Sequence, residues 1–164
     1  MSTAAQTALQ QIISGLLEDL KQALVCDGKI PNTVLLATRE RTQHIPLDPI
    51  PWAIQPSLVR LFTHAMGAQL AVHLSEAWVK RYDAGEVATR APSECEDREE
   101  AVVISARDCT GGAVGVQAVF DRDSEGRAVF KAAPEWFPPG DWQDRLLDGL
   151  FEGGQPQAPS GIVH

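Results

Sequence analysis

Three apolar runs, AVVISA (101–106), AVGVQAVF (113–120) and RAVFKAA (127–133), are separated only by the turn signals DCTGG and DRDSEG. Parallel neighbours need a crossover of a dozen or more residues, so segments spaced this closely pair as an antiparallel meander. From Gln69 the same period of two is already present: Leu70, Val72 and Leu74 face one way and Ala71, His73 and Ser75 the other. The expected framework is therefore one antiparallel sheet, and the remaining segments must cover it.

Those segments read as helices and a hairpin. Leu9, Ile12, Ile13, Leu16, Leu17, Leu20 and Leu24 recur at helical spacing, which predicts a helix from about residue 4 to 25, ended by Asp27-Gly28 and Pro31. NTVLLATRE and TQHIPL form two short strands joined by a charged turn at Arg39–Arg41. Prolines 46, 49, 51 and 56 then break the chain, and Leu58, Leu61, Phe62 and Ala65 make a second helical stripe closed by Gly67. Residues 83–100 hold seven carboxylates and almost no large apolar side chain, so they read as a long loop. After PEWFPPG, Asp141 is expected to cap a last helix carrying Trp142, Leu146, Leu147, Leu150 and Phe151, and residues 153–164 to fray as a tail.

The expected fold class is α+β: one antiparallel sheet of about five to six strands covered by N-terminal, central and C-terminal helices. In outline it resembles roadblock- or profilin-type sensor and scaffold domains, a likeness of topology that carries no function. A chain of 164 residues buries roughly 70% of the surface its unfolded form exposes, which favours a single domain over residues 1–152. No apolar run approaches the roughly 20 residues that span a bilayer. The N-terminus lacks the basic and uniformly apolar regions of an export signal, and three cysteines without a C-x-x-C indicate neither disulfide framework nor zinc clip. A cytoplasmic protein without membrane attachment is expected. The net charge is −8, and no basic patch beyond Arg39 with Arg41 and Lys80 with Arg81 offsets it, which argues against nucleic acid as a partner.

The motifs with strong mechanical meaning, a G-x-S-x-G elbow, a phosphate-binding P-loop and an H-E-x-x-H helix, are absent. Gly111-Gly112-x-x-Gly115 opens a strand where a phosphate site needs a helix N-terminus. His73 and Glu76, three apart on a strand, point to opposite faces and cannot share an ion. No metal site and no cofactor are expected.

One residue breaks the strand pattern. In phase with Leu70, Val72 and Leu74, Glu76 and Trp78 continue the core-facing row, so either the strand leaves the core or the carboxylate is partly buried and needs a partner. Arg98, at the charged start of the next strand, is the candidate; an exposed strand-end pair is the plainer alternative.

Ser75-Glu76-Ala77-Trp78, then Pro92-Ser93, then Asp97-Arg98-Glu99-Glu100 leading into AVVISA, resemble a recurring pattern in small bacterial proteins that also have an N-terminal helix and an LLxTR hairpin. The likeness spans about residues 5–130. It implies a shared fold and a shared site and nothing about reaction.

PEWFPPGDW sets Trp136, Phe137 and Trp142 beside prolines that lower the entropy lost on docking; the rings either close the core or form an epitope. The leading expectation is a non-catalytic binding or scaffold module that self-associates or docks a protein partner through its sheet edge or aromatic segment, with Trp78, Asp97, Glu99, Trp136, Phe137 and Trp142 as binding candidates. The alternative is an enzyme of unrecognised class, possibly a hydrolase, using Glu76 and Arg98 in a cleft under the acidic loop.

Overall fold

A computed structural model of the chain describes residues 3–152 except 84, 139 and 141. Asp141 and the expected tail lie outside the described residues. Helix α1 (Thr3–Asp27) buries Leu9, Ile13, Leu17 and Leu24 on one stripe with Leu16 and Leu20 packed beside them, while Ile12 of the expected stripe is exposed. It stops where Gly28 takes φ +76°, a left-handed conformation that lets its N–H reach the Leu24 carbonyl at 2.9 Å. Cys26, in the last turn, is exposed.

Strands β1 (Thr33–Ala37) and β2 (Thr42–Pro46) form the expected hairpin. The Thr38 hydroxyl holds its turn by accepting the N–H groups of Glu40 and Arg41 at 3.2 and 3.1 Å. After helix α2 (Gln55–Met66) come β3 (Leu70–Val79), β4 (Glu99–Asp108), β5 (Ala113–Arg122) and β6 (Ala128–Phe130), joined as the meander the short loops require. The sheet runs β2-β1-β3-β4-β5-β6, and the two-residue β7 (Glu135–Trp136) also pairs with β5. The chain is thus α+β, with one open antiparallel sheet of seven strands and two α-helices among the described residues.

Both faces of the sheet are covered. Val72 and Leu74 of β3 join Val102, Ile104, Val116 and Phe120 beneath α1. On the other face Val34, Leu36 and Ala71 pack with Val59 of α2 and with Leu146, Leu147 and Leu150. Burial on both sides explains why these strands are apolar at successive positions.

Two covering elements differ from expectation. In α2 the buried residues are Gln55, Val59 and Thr63, while Leu61 and Phe62 of the expected core stripe are exposed. The inward polar groups are satisfied locally: the Gln55 amide donates to the carbonyls of Leu47 and Ile50 at 3.1 and 3.0 Å, and the Thr63 hydroxyl donates to the Val59 carbonyl at 2.7 Å. Gln55 thereby pins the start of α2 to the preceding loop, and this anchorage fixes the rotation that hydrophobicity alone predicts differently.

The second difference is the C-terminal segment. Residues 145–152 are a succession of turns, where a helix capped by Asp141 was expected. Asp144 gathers the local groups instead: its Oδ1 accepts the Leu146 N–H at 2.9 Å, and its own N–H donates to Asp148 at 2.9 Å. Gly149, at φ +70°, interrupts any longer helical run. The expected leucines are delivered to the core, by turns.

The glycines of the β4–β5 turn also find their reasons. Asp108 Oδ1 accepts the N–H groups of Thr110 and Gly112 at 2.8 and 2.7 Å, and Gly111 supplies φ +87°. Farther on, a Cβ at Gly115 would lie 2.5 Å from Phe137 and 3.0 Å from Trp142, so this glycine admits the aromatic pair onto the sheet. Gly115→Ala should therefore lower unfolding stability by about 1–3 kcal/mol, the usual cost of overpacking, measured by urea denaturation; an unchanged midpoint would mean the rings are not held there.

Candidate functional site

Glu76 lies on the α1 side of β3, in phase with Val72 and Leu74, with its side chain 25% exposed. Its Oε2 accepts the Ile30 N–H at 2.9 Å and its Oε1 accepts Arg122 Nη2 at 3.0 Å. Arg122, at the end of β5, also donates through Nε to Glu100 at 3.0 Å and through Nη1 to the carbonyls of Gly28 and Gly126 at 2.9 and 3.1 Å. One guanidinium thus ties the exit of α1 to β3, β4 and the β5–β6 turn.

The expected Glu76–Arg98 pair is replaced by Glu76–Arg122. The register explains the change: Glu99 is opposite Val79 and Glu100 opposite Trp78, so Arg98 falls beyond the paired end of β3. Its guanidinium lies over the Trp78 ring, 4.3 Å from the centroid, and donates to the Ser93 carbonyl.

The remaining candidates separate. Asp97 lies 3.4 Å from Lys80, which also approaches Glu86 at 3.8 Å and stacks on Tyr82. Burial works to lower the Lys80 pKa, but the neighbouring Asp97, Cys95 and Glu86 outweigh it and hold the amine above its ordinary value. Lys80, Tyr82, Cys95 and Asp97 line a 480 Å³ concavity under the acidic loop. Neither Glu76 nor Arg98 lines it; Glu76 borders a separate 100 Å³ dent with Ala77, Trp78 and Glu100. Glu99 reaches Arg81 at 3.9 Å, and Arg81 reaches Glu135 at 3.4 Å.

The aromatic candidates are largely fixed in place. Trp136 packs against the core beneath α1. Phe137 and Trp142 meet with centroids 5.9 Å apart on the opposite face, and Arg107 lies 3.9 Å from the centre of the Trp142 ring.

A polar network that the sequence did not disclose centres on His73. Its Nδ1 is 2.7 Å from Asp144 Oδ2 and its Nε2 is 2.8 Å from Asn32 Oδ1. The partners stand 71 and 41 residues away, so no local spacing announces them. Burial works against the Asp144 charge, yet the His73 hydrogen bond and charge, the Leu146 N–H and the Ser105 hydroxyl outweigh it and hold this carboxyl below its ordinary range. With both ring nitrogens occupied, His73 acts as a strut between β3, the start of β1 and the C-terminal turns. Arg107 adds a second tie to the same turns through Asp148 at 2.7 Å.

No group of three or more His, Cys, Asp and Glu among the described residues could hold a metal ion. Likewise, no helix among them is long and apolar enough to cross a membrane. No family model, curated protein or solved structure matches the chain. What distinguishes the surface is the outer side of α2 and the turn before it. Trp52 is 69% exposed, Ile54 52%, Leu61 64% and Phe62 40%, four of the nine exposed large apolar residues among those described falling within one stretch of eleven positions.

Glu76→Gln should cost about 1–3 kcal/mol of folding stability by removing one of the two carboxylates that Arg122 holds, the other being Glu100. In a double-mutant cycle with Arg122→Met, urea denaturation should show strong coupling for Glu76, and a cycle with Arg98→Met little.

The lowered Asp144 pKa gives a second expectation. Its contribution is fully present above the ordinary carboxylate value of 3.8 and is lost as pH falls through the lower folded-state value. Asp144→Asn should thus be less stable than the parent at neutral pH and lose less stability between about pH 5 and pH 2, measured by denaturation midpoints across that range.

Proposed function

We propose that the chain is a non-catalytic binding or scaffold module that docks a protein partner, or a second copy of itself, through the outer face of α2. The observation that carries this reading is the exposed set of Trp52 and Ile54, in the turn before α2, with Leu61 and Phe62 of the helix itself, whose inward positions are Gln55, Val59 and Thr63. Apolar patches of roughly 300–600 Å² on a folded chain are commonly interaction sites, and these four side chains are large enough to form one. The docking surface thereby moves from the aromatic C-terminal segment, whose rings are engaged with the sheet, to the central helix.

The enzymatic alternative asks Glu76 to exchange protons, whereas both of its oxygens already accept hydrogen bonds from Ile30 and Arg122. The order of helix, hairpin, helix and meander supports the likeness to roadblock- or profilin-type scaffold layers. A reducing cytoplasm, the setting assigned with this reading, is in keeping with three free cysteines.

Leu61→Glu and Phe62→Glu test the assignment, because both positions are exposed and the fold should tolerate the change to within about 0.5 kcal/mol. Size-exclusion chromatography with light scattering should show either a parent dimer that the variants dissociate or a parent monomer. For a monomer, crosslinked complexes recovered with the parent should be lost with the variants. Complexes that survive both substitutions would remove α2 as the docking face.

A further inference from the structure

The apolar stripe of α2 is bordered by cations that the rest of the molecule leaves unpaired. Arg39 and Arg41 stand exposed at the tip of the β1–β2 hairpin, where with Glu40 between them they share a 410 Å³ concavity with Met66 and Gly67 at the end of α2, a tip that keeps a net positive charge. Arg60 projects from the helix itself and donates to the Gly149 carbonyl. At the other end, Arg145 lies 3.9 Å from the centre of the Trp52 ring and donates to Gln55 Oε1 at 2.6 Å. None of these four arginines has an ion pair with a described carboxylate, a state they share with Lys29, Arg90 and Arg98, whereas Lys21, Lys80, Arg81, Arg107, Arg122, Arg127 and Lys131 all have one. What sets the four apart is that they gather around one apolar face.

The imbalance extends to the whole segment. Residues 29–69 carry four cations and two carboxylates, while the chain as a whole carries 14 and 22, so the remainder holds ten cations and 20 carboxylates. A basic apolar face on an otherwise acidic molecule selects the charge of what lands on it. Like-charge arginines would meet if two copies packed α2 against α2, and an extended polyanion would overrun the patch into acidic surroundings. A short segment whose apolar side chains follow the helical period, with carboxylates on its flanks, fits both features.

Resting on the docking face assigned above, we propose that α2 and the β1–β2 hairpin receive an acidic amphipathic helix of a partner protein. Its apolar side chains lie on Ile54, Leu61 and Phe62, and its carboxylates meet Arg39 and Arg41 at one end and Arg60 and Arg145 along the rest. Helix α2 spans 12 residues, about 18 Å at 1.5 Å per residue, which matches three to four turns of a partner helix.

The test uses the full chain and two tryptophan-free helical peptides of about 15 residues, identical in their leucine stripe, one flanked by glutamates and the other by lysines. Titration is followed by calorimetry and tryptophan fluorescence. The glutamate peptide should bind at least about tenfold more tightly than the lysine peptide, and this preference should shrink with salt. Leu61→Glu should abolish binding of the glutamate peptide, and Arg39→Glu with Arg41→Glu should reverse the preference, with thermal melts confirming that each variant is folded.

Equal binding of the two peptides, lost in Leu61→Glu, would overturn the acidic assignment and keep α2 as a docking face. Binding of neither peptide by a chain that forms an α2-dependent dimer would replace the partner by a second copy. Binding of neither by a strict monomer would remove both the partner and the docking face. Tighter binding of a single-stranded oligonucleotide than of the glutamate peptide would overturn the proposal in favour of a polyanion.

Discussion

The ten-residue register between β3 and β4, from Leu70 opposite Asp108 to Val79 opposite Glu99, sets the positions of nearly everything else. Because side chains alternate across a strand, a slip of one residue would exchange the two faces. In the observed register Val72 and Leu74 join Val102 and Ile104 beneath α1, and His73 and Ser105 turn to the other side. The same phase brings Glu76 to the α1 side, at the point where that helix gives way to β1. Its ligation by Arg122 follows from strand geometry, two strands over on the same face.

The two covers of the sheet are held by different physics. Helix α1 satisfies its own backbone and is attached mainly through burial of Leu9, Ile13, Leu17 and Leu24, with the Arg122 clasp fixing its exit. The opposite cover includes turns that lack a helical hydrogen-bond ladder, and it depends on discrete polar ties. Asp144 on His73, Asp148 on Arg107, and Arg60 on the Gly149 carbonyl are three such ties. The Asp144 and Arg107 ties are partly buried, where an unpaired polar group is costly, so they specify where the segment sits as well as holding it, while the Arg60 bond is exposed.

The elements that the sequence disclosed are those whose signal is local. The α1 stripe apart from Ile12, the hairpin, the meander and the Gly67 stop all depend on neighbours within a few residues, and all are found. Leu58, Leu61, Phe62 and Ala65 misled because hydrophobic spacing identifies a helix but does not say which side another element will claim; Gln55, bonded to Leu47 and Ile50, settles that. Arg98 misled through sequence proximity, since the partner that geometry supplies, Arg122, belongs to a strand farther along. His73 with Asn32 and Asp144 had no readable signal, because three distant segments must fold before the group exists. Exposure of Leu61 and Phe62 was equally hidden, because it follows from the rotation of α2 and not from its spacing.

The irregular cover also bears on how the chain emerges from the ribosome. Val34, Leu36 and Ala71 belong to the first half of the chain, whereas the leucines that shield them, Leu146, Leu147 and Leu150, are translated some 75 or more residues later, several seconds at roughly 5–20 residues per second. Through that interval this side of the nascent sheet has α2, with Val59 as its deepest apolar side chain, and the loop residues Leu47 and Ile50 to shelter it. Transiently exposed apolar sheet is prone to association, so this face is protected in full only once the closing turns have docked.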